Sequence, residues 1–557
     1  MLTSQRSIFV IIVVACLFLC HPSPSSASSS YDELVTLFNQ FREYQEPPIS
    51  GGLPDLSAAA VDQRFKGLDV YQKRLAALEI DDWPIWQQAD YHLVRAEMNA
   101  VDFHFRVLKP WARDPGFYSM WSGDTGPSVN LFRYVAPLME RELPLSNEEH
   151  AQFRAILGEI PGLYEQARSN LTIASGDLAD LALVFDRDDA EIFEQIAVRL
   201  QDHHDDLAEG ARRAGQASRD YLEWLEKNKH KMTAPAGLGK DNYGWWQRNV
   251  QLMPWGWQEV DALVQRDYDR VITFLKLEEH RNRDLPPLDV ATTHEEWDDR
   301  LRQALHYAID FLREEEIMTV PDWVDPSDYY DRGDDDEGEA GEDFGDFLLP
   351  ENLTVDTRYR QREILPGETH EYVGHMLDDQ RQQRLTKSPI RSAERFYNMY
   401  SIRTEGWAVA LEELLMQAGV LDERPQRGRI MEYLMNASHM SLAIPDLKMH
   451  ANEITLAEGR RLCAEIMPRG WTDEDDPMVW FEMKSNLRNP GGFHSNVVLG
   501  KAYFMKLFRE RAQELGEDFV IRDFVDEFLA SGVIPMSLIR WEMTGNSDDI
   551  TLVTEDL

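Results

Sequence analysis

Cysteine is nearly missing from this chain. Of three cysteines in 557 residues, Cys16 and Cys20 fall in an apolar N-terminal segment and only Cys463 lies beyond it. One thiol excludes an intramolecular disulfide and a thiolate-bound zinc, so stability must come from core packing. Cys463 itself is expected to be a small buried apolar side chain. Hydrophobic runs long enough to cross a bilayer are missing too. The run Ile8 to Cys20 has thirteen residues, against ~20 for a spanning helix. With Arg6 before it and Ser25-Ser26-Ala27 after it, the run has the form of a secretory signal cut after Ala27. Val13-Val14-Ala15-Cys16 carries a weak lipoprotein-box pattern, but cutting there would leave Leu17-Phe18-Leu19 at the mature end. The expectation is a soluble exported protein, periplasmic or secreted, with no membrane contact once the signal is removed. Positive charge is also scarce: 57 Lys and Arg stand against 99 Asp and Glu, a formal net charge of -42. Nucleic acid and anionic membrane surfaces both demand basic patches, so neither is an expected partner.

Strand-rich segments and regular internal repeats are absent as well. What the chain has instead is helical periodicity. Apolar residues recur at three-to-four spacing in Tyr31 to Glu43, Val61 to Leu78, Trp86 to Phe105, Asn147 to Asn170, Ala190 to Asn228 and Trp257 to Glu316. Pro110, Pro144, Pro235-Ala236-Gly237 and Pro286-Pro287 punctuate these segments. With 43% hydrophobic residues the chain can bury a large core, and the fold class expected is all-α. From Asp325 to Asp346 the sequence is dense in Asp, Glu and Gly around Asp334-Asp335-Asp336-Glu337. That spacing does not meet an EF-hand loop, and a solvated acidic loop is expected. The chain thus divides into a signal (1–27), an N-terminal helical region (28–324), the acidic loop (325–346) and a region 347–557. The two helical regions are expected to form one continuous unit.

Region 347–557 carries the chemistry. His370-Glu371-Tyr372-Val373-Gly374-His375 is followed thirty residues later by Glu405, in Thr404-Glu405-Gly406-Trp407-Ala408. Two imidazoles and a carboxylate can hold a zinc ion and leave a fourth position for water, and Glu371 is placed to take a proton from that water. The common zinc-peptidase spacing sets the histidines at i and i+4, on one helical face. Here the second histidine is at i+5, about 140° away on an ideal helix. The pair converges only if the helix absorbs an extra residue, as a π-bulge does. Gly374 suits such a distortion. The segment around Glu405 has helical periodicity, with Thr404 as N-cap and Glu405 in the first turn.

The His-Glu-x-x-Gly-His arrangement is similar to that of dipeptidyl peptidase III, a zinc peptidase with an expanded motif. The same motif and the Glu-Gly-Trp-Ala segment also resemble a large, mostly bacterial family catalogued as a domain of unknown function. Its members are secreted or lipid-anchored helical proteins related to zinc metallopeptidases. Further matches are Ala112-Arg113-Asp114-Pro115-Gly116-Phe117-Tyr118, Gly237-Leu238-Gly239-Lys240-Asp241-Asn242-Tyr243 and Asp446-Leu447-Lys448-Met449-His450. Gly500-Lys501-Ala502-Tyr503-Phe504 through Gly532-Val533-Ile534-Pro535 completes the set. The family motif usually reads His-Glu-x-x-Pro-Gly-His-His. This chain has Val373 before Gly374 and Met376 after His375, and Lys448 where the family carries glycine, which marks a divergent branch. The resemblance implies one zinc held by His370, His375 and Glu405, and a gluzincin-type multi-helix architecture around a deep cleft that takes short peptides.

The expected activity is that of a zinc metallopeptidase acting on a peptide or small amide, with Glu371 as general base. An oxyanion donor is needed beside it. His450 is the first candidate, through the family-like Asp-x-x-x-His element, and His494 the second, at the end of the glycine-rich Pro490-Gly491-Gly492-Phe493 approach. Tyr397, Tyr400 and Arg403 are expected to be structural, and His203-His204 to lie on an exposed helix face. Asp378 and Asp379, a turn after His375, either orient a ligand imidazole or face solvent. Two other readings stay open: a zinc hydrolase of a non-peptide amide or ester, and a binding protein with a decayed site.

Overall fold

A computed structural model describes residues 29–121, 130–330, 353–394, 397–489 and 491–554. The expected signal segment and most of the expected acidic loop lie outside these residues. The architecture is all-α and multi-helical. Among the described residues the strands form one hairpin, Ile49–Ser50 against Leu53–Pro54, turning on Gly51 and Gly52. No described helix is long and apolar enough to cross a membrane.

Helix starts follow local chemistry. Ser30 caps Tyr31–Gln45, Ser146 caps Asn147–Asn170 and Thr455 caps Leu456–Ile466, each in a capping box with a glutamate three residues on. Two long periodic stretches are broken. The segment 190–228 becomes Asp189–Leu200 and Asp205–Asn228, because the His204 ring accepts a hydrogen bond from the Leu145 amide and holds the turn (2.8 Å). His203 and His204 thus sit in a turn and not on a helix face. The segment 257–316 splits into Trp257–Arg281 and His294–Glu314, with Pro286 and Pro287 in the connection.

One cluster of buried apolar side chains runs from Leu34 to Val553 and joins helices from both halves of the chain. A second, from Leu53 to Tyr221, lies under the Asn147–Asn170, Asp189–Leu200 and Asp205–Asn228 helices. Cys463 is fully buried, and burial pushes its thiol up to about 12.

The helices Ser401–Ala418 and His494–Leu515 form the most extensively packed pair. They cross at two glycines. A methyl group on Gly406 would stand 2.2 Å from Gly500 Cα, and one on Gly500 would stand 1.9 Å from the Ile402 carbonyl. On its other side Ser401–Ala418 meets the helical run 365–385, where a methyl on Gly374 would stand 2.7 Å from Ala408 Cβ. Trp407 is fully buried against Phe504 and Phe528. The Glu-Gly-Trp-Ala segment is therefore a packing device as well as the carrier of Glu405. Gly500→Ala is expected to cost about 1–3 kcal/mol, the usual range for overpacking, read as a lower urea midpoint at unchanged m-value.

Asp186 and Asp189 lie buried where Gly176–Phe185 gives way to Asp189–Leu200. Burial raises both carboxyls and their proximity raises Asp186 further, while Asp189, which accepts the Met120 amide (2.9 Å), is pushed up to about 7. A carboxyl raised in the folded state contributes stability that is full below its unfolded pKa near 4 and is lost as pH climbs through the folded value. Asp189→Asn keeps an acceptor for Met120. It is expected to raise the melting temperature by an increment that grows from about pH 4 to 7 and is flat above.

Candidate metal centre

The run 365–385 is one helix with a widened middle. Leu365–Glu368 and Leu377–Leu385 are α-helical, and Thr369–Met376 between them is π-helical. An i→i+5 bond from the Leu377 amide to the Tyr372 carbonyl closes the wide turn. Gly374 has no left-handed backbone; the smallness of its side chain, which admits Ala408, is what the position requires.

The wide turn brings the five-apart histidines to one point. His370 Nε2 and His375 Nε2 are 3.0 Å apart. Glu405 Oε2 lies 3.4 Å from His375 Nε2 and 3.7 Å from His370 Nε2. Ligands ~2.1 Å from a tetrahedral zinc stand about 3.4 Å from one another, so these donors fit such an ion. The Ser401–Ala418 helix begins a turn earlier than Thr404 suggests, which puts Glu405 in its second turn. His370 and His375 outweigh burial and hold the Glu405 carboxyl far below its usual range.

Behind His370 stands Glu412, seven residues after Glu405 and so on the same helix face. Its Oε1 is 2.5 Å from His370 Nδ1. His370, Glu412 and His439 form a second group of converging donors, but this short contact is a hydrogen bond and leaves no space for an ion between the two. With Nδ1–H donated to Glu412, the Nε2 lone pair faces His375 and Glu405, the usual way a carboxylate fixes a ligand imidazole. Glu412 Oε2 accepts from Asn436 Nδ2 (3.4 Å), whose Oδ1 accepts from Lys501 Nζ (2.9 Å). Lys501 in turn is paired with Glu413 (2.8 Å) and Asp267 (3.3 Å). Burial raises the Glu412 carboxyl, while His370 and Lys501 oppose the rise.

Glu371, beside His370 on the wide turn, is tied to Arg360 while remaining within electrostatic reach of His370, His375 and Glu405. Its Oε1 is 3.1 Å from Arg360 Nη2, and Arg360 also holds the buried Glu368 (3.1 Å). Burial pushes the Glu371 carboxyl up, but His370, Arg360 and His375 together leave it below the usual carboxylate range. It is ionised at neutral pH and able to accept a proton.

The remaining expected residues are dispersed. His494 stacks on His439 at 6.4 Å, and His439 stacks on His370 at 6.0 Å, a row of imidazoles leading from the centre. His494 Nε2 is tied to Glu482 (2.5 Å), whereas His439 Nε2 is buried without a hydrogen-bond partner. His450 is not in this group. It ends the Gly428–His450 helix, eleven residues beyond His439 and so about 16 Å along the axis. There it is fully buried, with Nε2 2.9 Å from the Asn486 carbonyl. Asp378 pairs with Arg403 (2.9 Å), both buried, and ties the run 365–385 to Ser401–Ala418; Asp379 accepts from Gln383 (2.7 Å). Neither orients an imidazole. Tyr397 is buried against His104 and Trp246, while Tyr400 is 40% exposed. Sequence reasoning missed Glu412, His439, Arg360 and Lys501. Two of these had a signal: Glu405 and Glu412 share a face at i+7, and Glu432, Asn436 and His439 recur at helical spacing among the apolar residues of Gly428–His450.

Two solved structures share the fold. One is of a protein of unknown function from Shewanella oneidensis described as a lipoprotein, at TM-score 0.69 and 16% identity, covering 93% of this chain and all of that one. The other, also described as a lipoprotein, is from Colwellia psychrerythraea, at TM-score 0.64 and 13% identity, covering 93% of this chain and 99% of that one. Among curated proteins no sequence matches. Residues 42–543 match the bacterial proteins of unknown function grouped as DUF885, and the chain belongs to that family.

Proposed function

We propose that the protein is an exported zinc-dependent metallopeptidase acting on short peptides. The observation that carries the reading is the convergence of His370 Nε2, His375 Nε2 and Glu405 Oε2 within 3.0–3.7 Å, at the spacing of tetrahedral zinc ligands. An ionised Glu371 on the same turn and Glu412 bonded to the back of His370 support it. Zinc held by His370, His375 and Glu405 would act as a Lewis acid that lowers the pKa of bound water towards neutrality. Glu371 accepts the proton of the attacking water and returns it to the leaving amine, and Arg360 holds its carboxylate in place. Glu412 keeps His370 in the tautomer that presents Nε2. His439, stacked on His370 with its Nε2 unpartnered, is the imidazole this reading assigns to the developing oxyanion; His494 stands one ring further out, and the reading gives His450 a structural place. The two structural neighbours described as lipoproteins support an exported location, as does the N-terminal apolar run. The gluzincin-type cleft and the preference for short peptides rest on the family resemblance.

Purified without added metal, the protein is expected to contain one zinc per chain by elemental mass spectrometry, and His375→Ala to contain none. Against a peptide library and a set of small amides, turnover of peptides alone supports the reading, and turnover of amides alone moves it to a non-peptide hydrolase. Glu371→Gln is expected to keep its zinc and lose roughly 10²–10⁴-fold in kcat, the range for general-base catalysis; an unchanged rate would sink the mechanism. Glu412→Gln is expected to bind zinc about 10–100-fold more weakly, as loss of a carboxylate behind a ligand imidazole does, measured by chelator competition.

A further inference from the structure

A cavity of about 460 Å³ opens where three connections meet: 285–289, 362–364 and 424–427. Four guanidinium groups line it, those of Arg300, Arg362, Arg424 and Arg427, against two carboxylates, Asp289 and Glu363. That ratio reverses the balance of the whole chain, in which acids outnumber bases 99 to 57. Only Arg424 has a carboxylate partner in the pocket, Glu363 Oε1 at 2.6 Å. Arg300 donates to the carbonyls of Asp289 (3.0 Å) and Gln361 (2.8 Å), and Arg427 to those of Asn282 and Leu285 (2.7 Å each). Arg362 donates to the Arg358 carbonyl and lies 4.8 Å over the Trp471 ring. Carbonyl dipoles and a ring face orient these groups without neutralising them. Each guanidinium has five N–H donors, and these contacts leave several unused. Burial and the nearby cations Arg358 and Arg469 lower the Arg362 pKa, the mark of unbalanced positive charge. Leu285, Pro286, Pro287, Leu288 and Ile364 supply apolar walls.

We propose that this pocket binds a small oxyanion, a carboxylate or phosphate carried on a compact apolar body, held by Arg300, Arg362 and Arg427. Planar guanidinium forks match the oxygens of both groups bidentately. Carbonyl bonds from Arg300 and Arg427 fix two of the forks in advance, so little side-chain freedom is lost on binding. The proposal is independent of the zinc chemistry.

Titration calorimetry with inorganic phosphate and with citrate, on the full mature protein, tests it. Saturable binding of either at one site per chain is expected, and which of the two binds more tightly identifies the oxyanion. Arg362→Gln should weaken that binding roughly tenfold, the worth of one charge-assisted hydrogen-bonded contact. Gln426→Glu, a charge added on an exposed lining residue, should weaken it severalfold at unchanged melting temperature. Absence of saturable binding by either ligand, or equal affinity in the wild type and both variants, would overturn the proposal.

Discussion

The closest backbone approaches around the centre involve three helices, and the site depends on them. Ser401–Ala418 is pressed between the π-containing run 365–385 and His494–Leu515, touching the first through Ala408 against Gly374 and the second through Gly406 against Gly500. With no side chain at those glycines, the axes come close enough for Glu405 to reach two imidazoles on the neighbouring helix. The buried Asp378–Arg403 pair pins the same two elements a turn further on. Because close-packed interiors transmit small displacements, an added methyl at any of these glycines would move donor atoms that must agree within tenths of an ångström.

Behind that contact lies an unusual amount of buried charge. Glu412, Glu432, Asn436 and Lys501 are all at most 2% exposed. Isolated, each ionised group would cost several kcal/mol; together they form one bonded chain. Asn436 is the hinge of it, donating to Glu412 and Glu432 and accepting from Lys501. Burial and the neighbouring Glu412 and Glu413 drive the Glu432 carboxyl well up, against the pull of Lys501 and the Asn436 hydrogen bond. The lysine charge faces Glu412, Glu413 and Asp267, and Arg270 grips Glu413 at 2.5 and 2.8 Å. The position of His370 is thereby referred back to a network on four separate helices.

The helical class was legible because 3.6-residue periodicity survives over long stretches, and the boundaries failed where tertiary contacts decide them. Asn147–Asn170 matches its expected limits because Ser146 and Glu149 encode the start locally. The break at His204 depends on Leu145, 59 residues away, and no local pattern carries that. In the same way the convergence of the two histidines was legible, since an i+5 pair meets only across a widened turn. The partners of the candidate donors were not, because Glu412, Arg360 and Lys501 become neighbours only through packing. The purpose of Gly374 differs from the local reading for the same reason: like Gly406, it is there for a helix on the far side, which the sequence does not announce.

Charge gives a last argument for what the centre holds. Around His370 and His375 lie Glu371, Glu405, Glu412 and Glu368, and the cation bonded to this group is Arg360. Glu368 is pushed up to about 7 by burial against the pull of Arg360, so part of that negative charge is already given up to protonation. Glu405 and Glu371 are held below their usual range largely by the imidazoles, and His370 in turn is driven well above its own, against burial, by Glu405 and Glu412. A protonated His370 facing the His375 nitrogen at 3.0 Å is one way to balance the cluster; a divalent cation at the same point is the other. The cation balances more, because it satisfies both Nε2 lone pairs and Glu405 at once and returns His370 Nδ1–H to Glu412 as a neutral-imidazole bond. On the proposed reading, a metal at this point would be held most firmly where these histidines are neutral and Glu405 and Glu412 are charged. Those are the protonation states in which Glu371 is also free to take a proton.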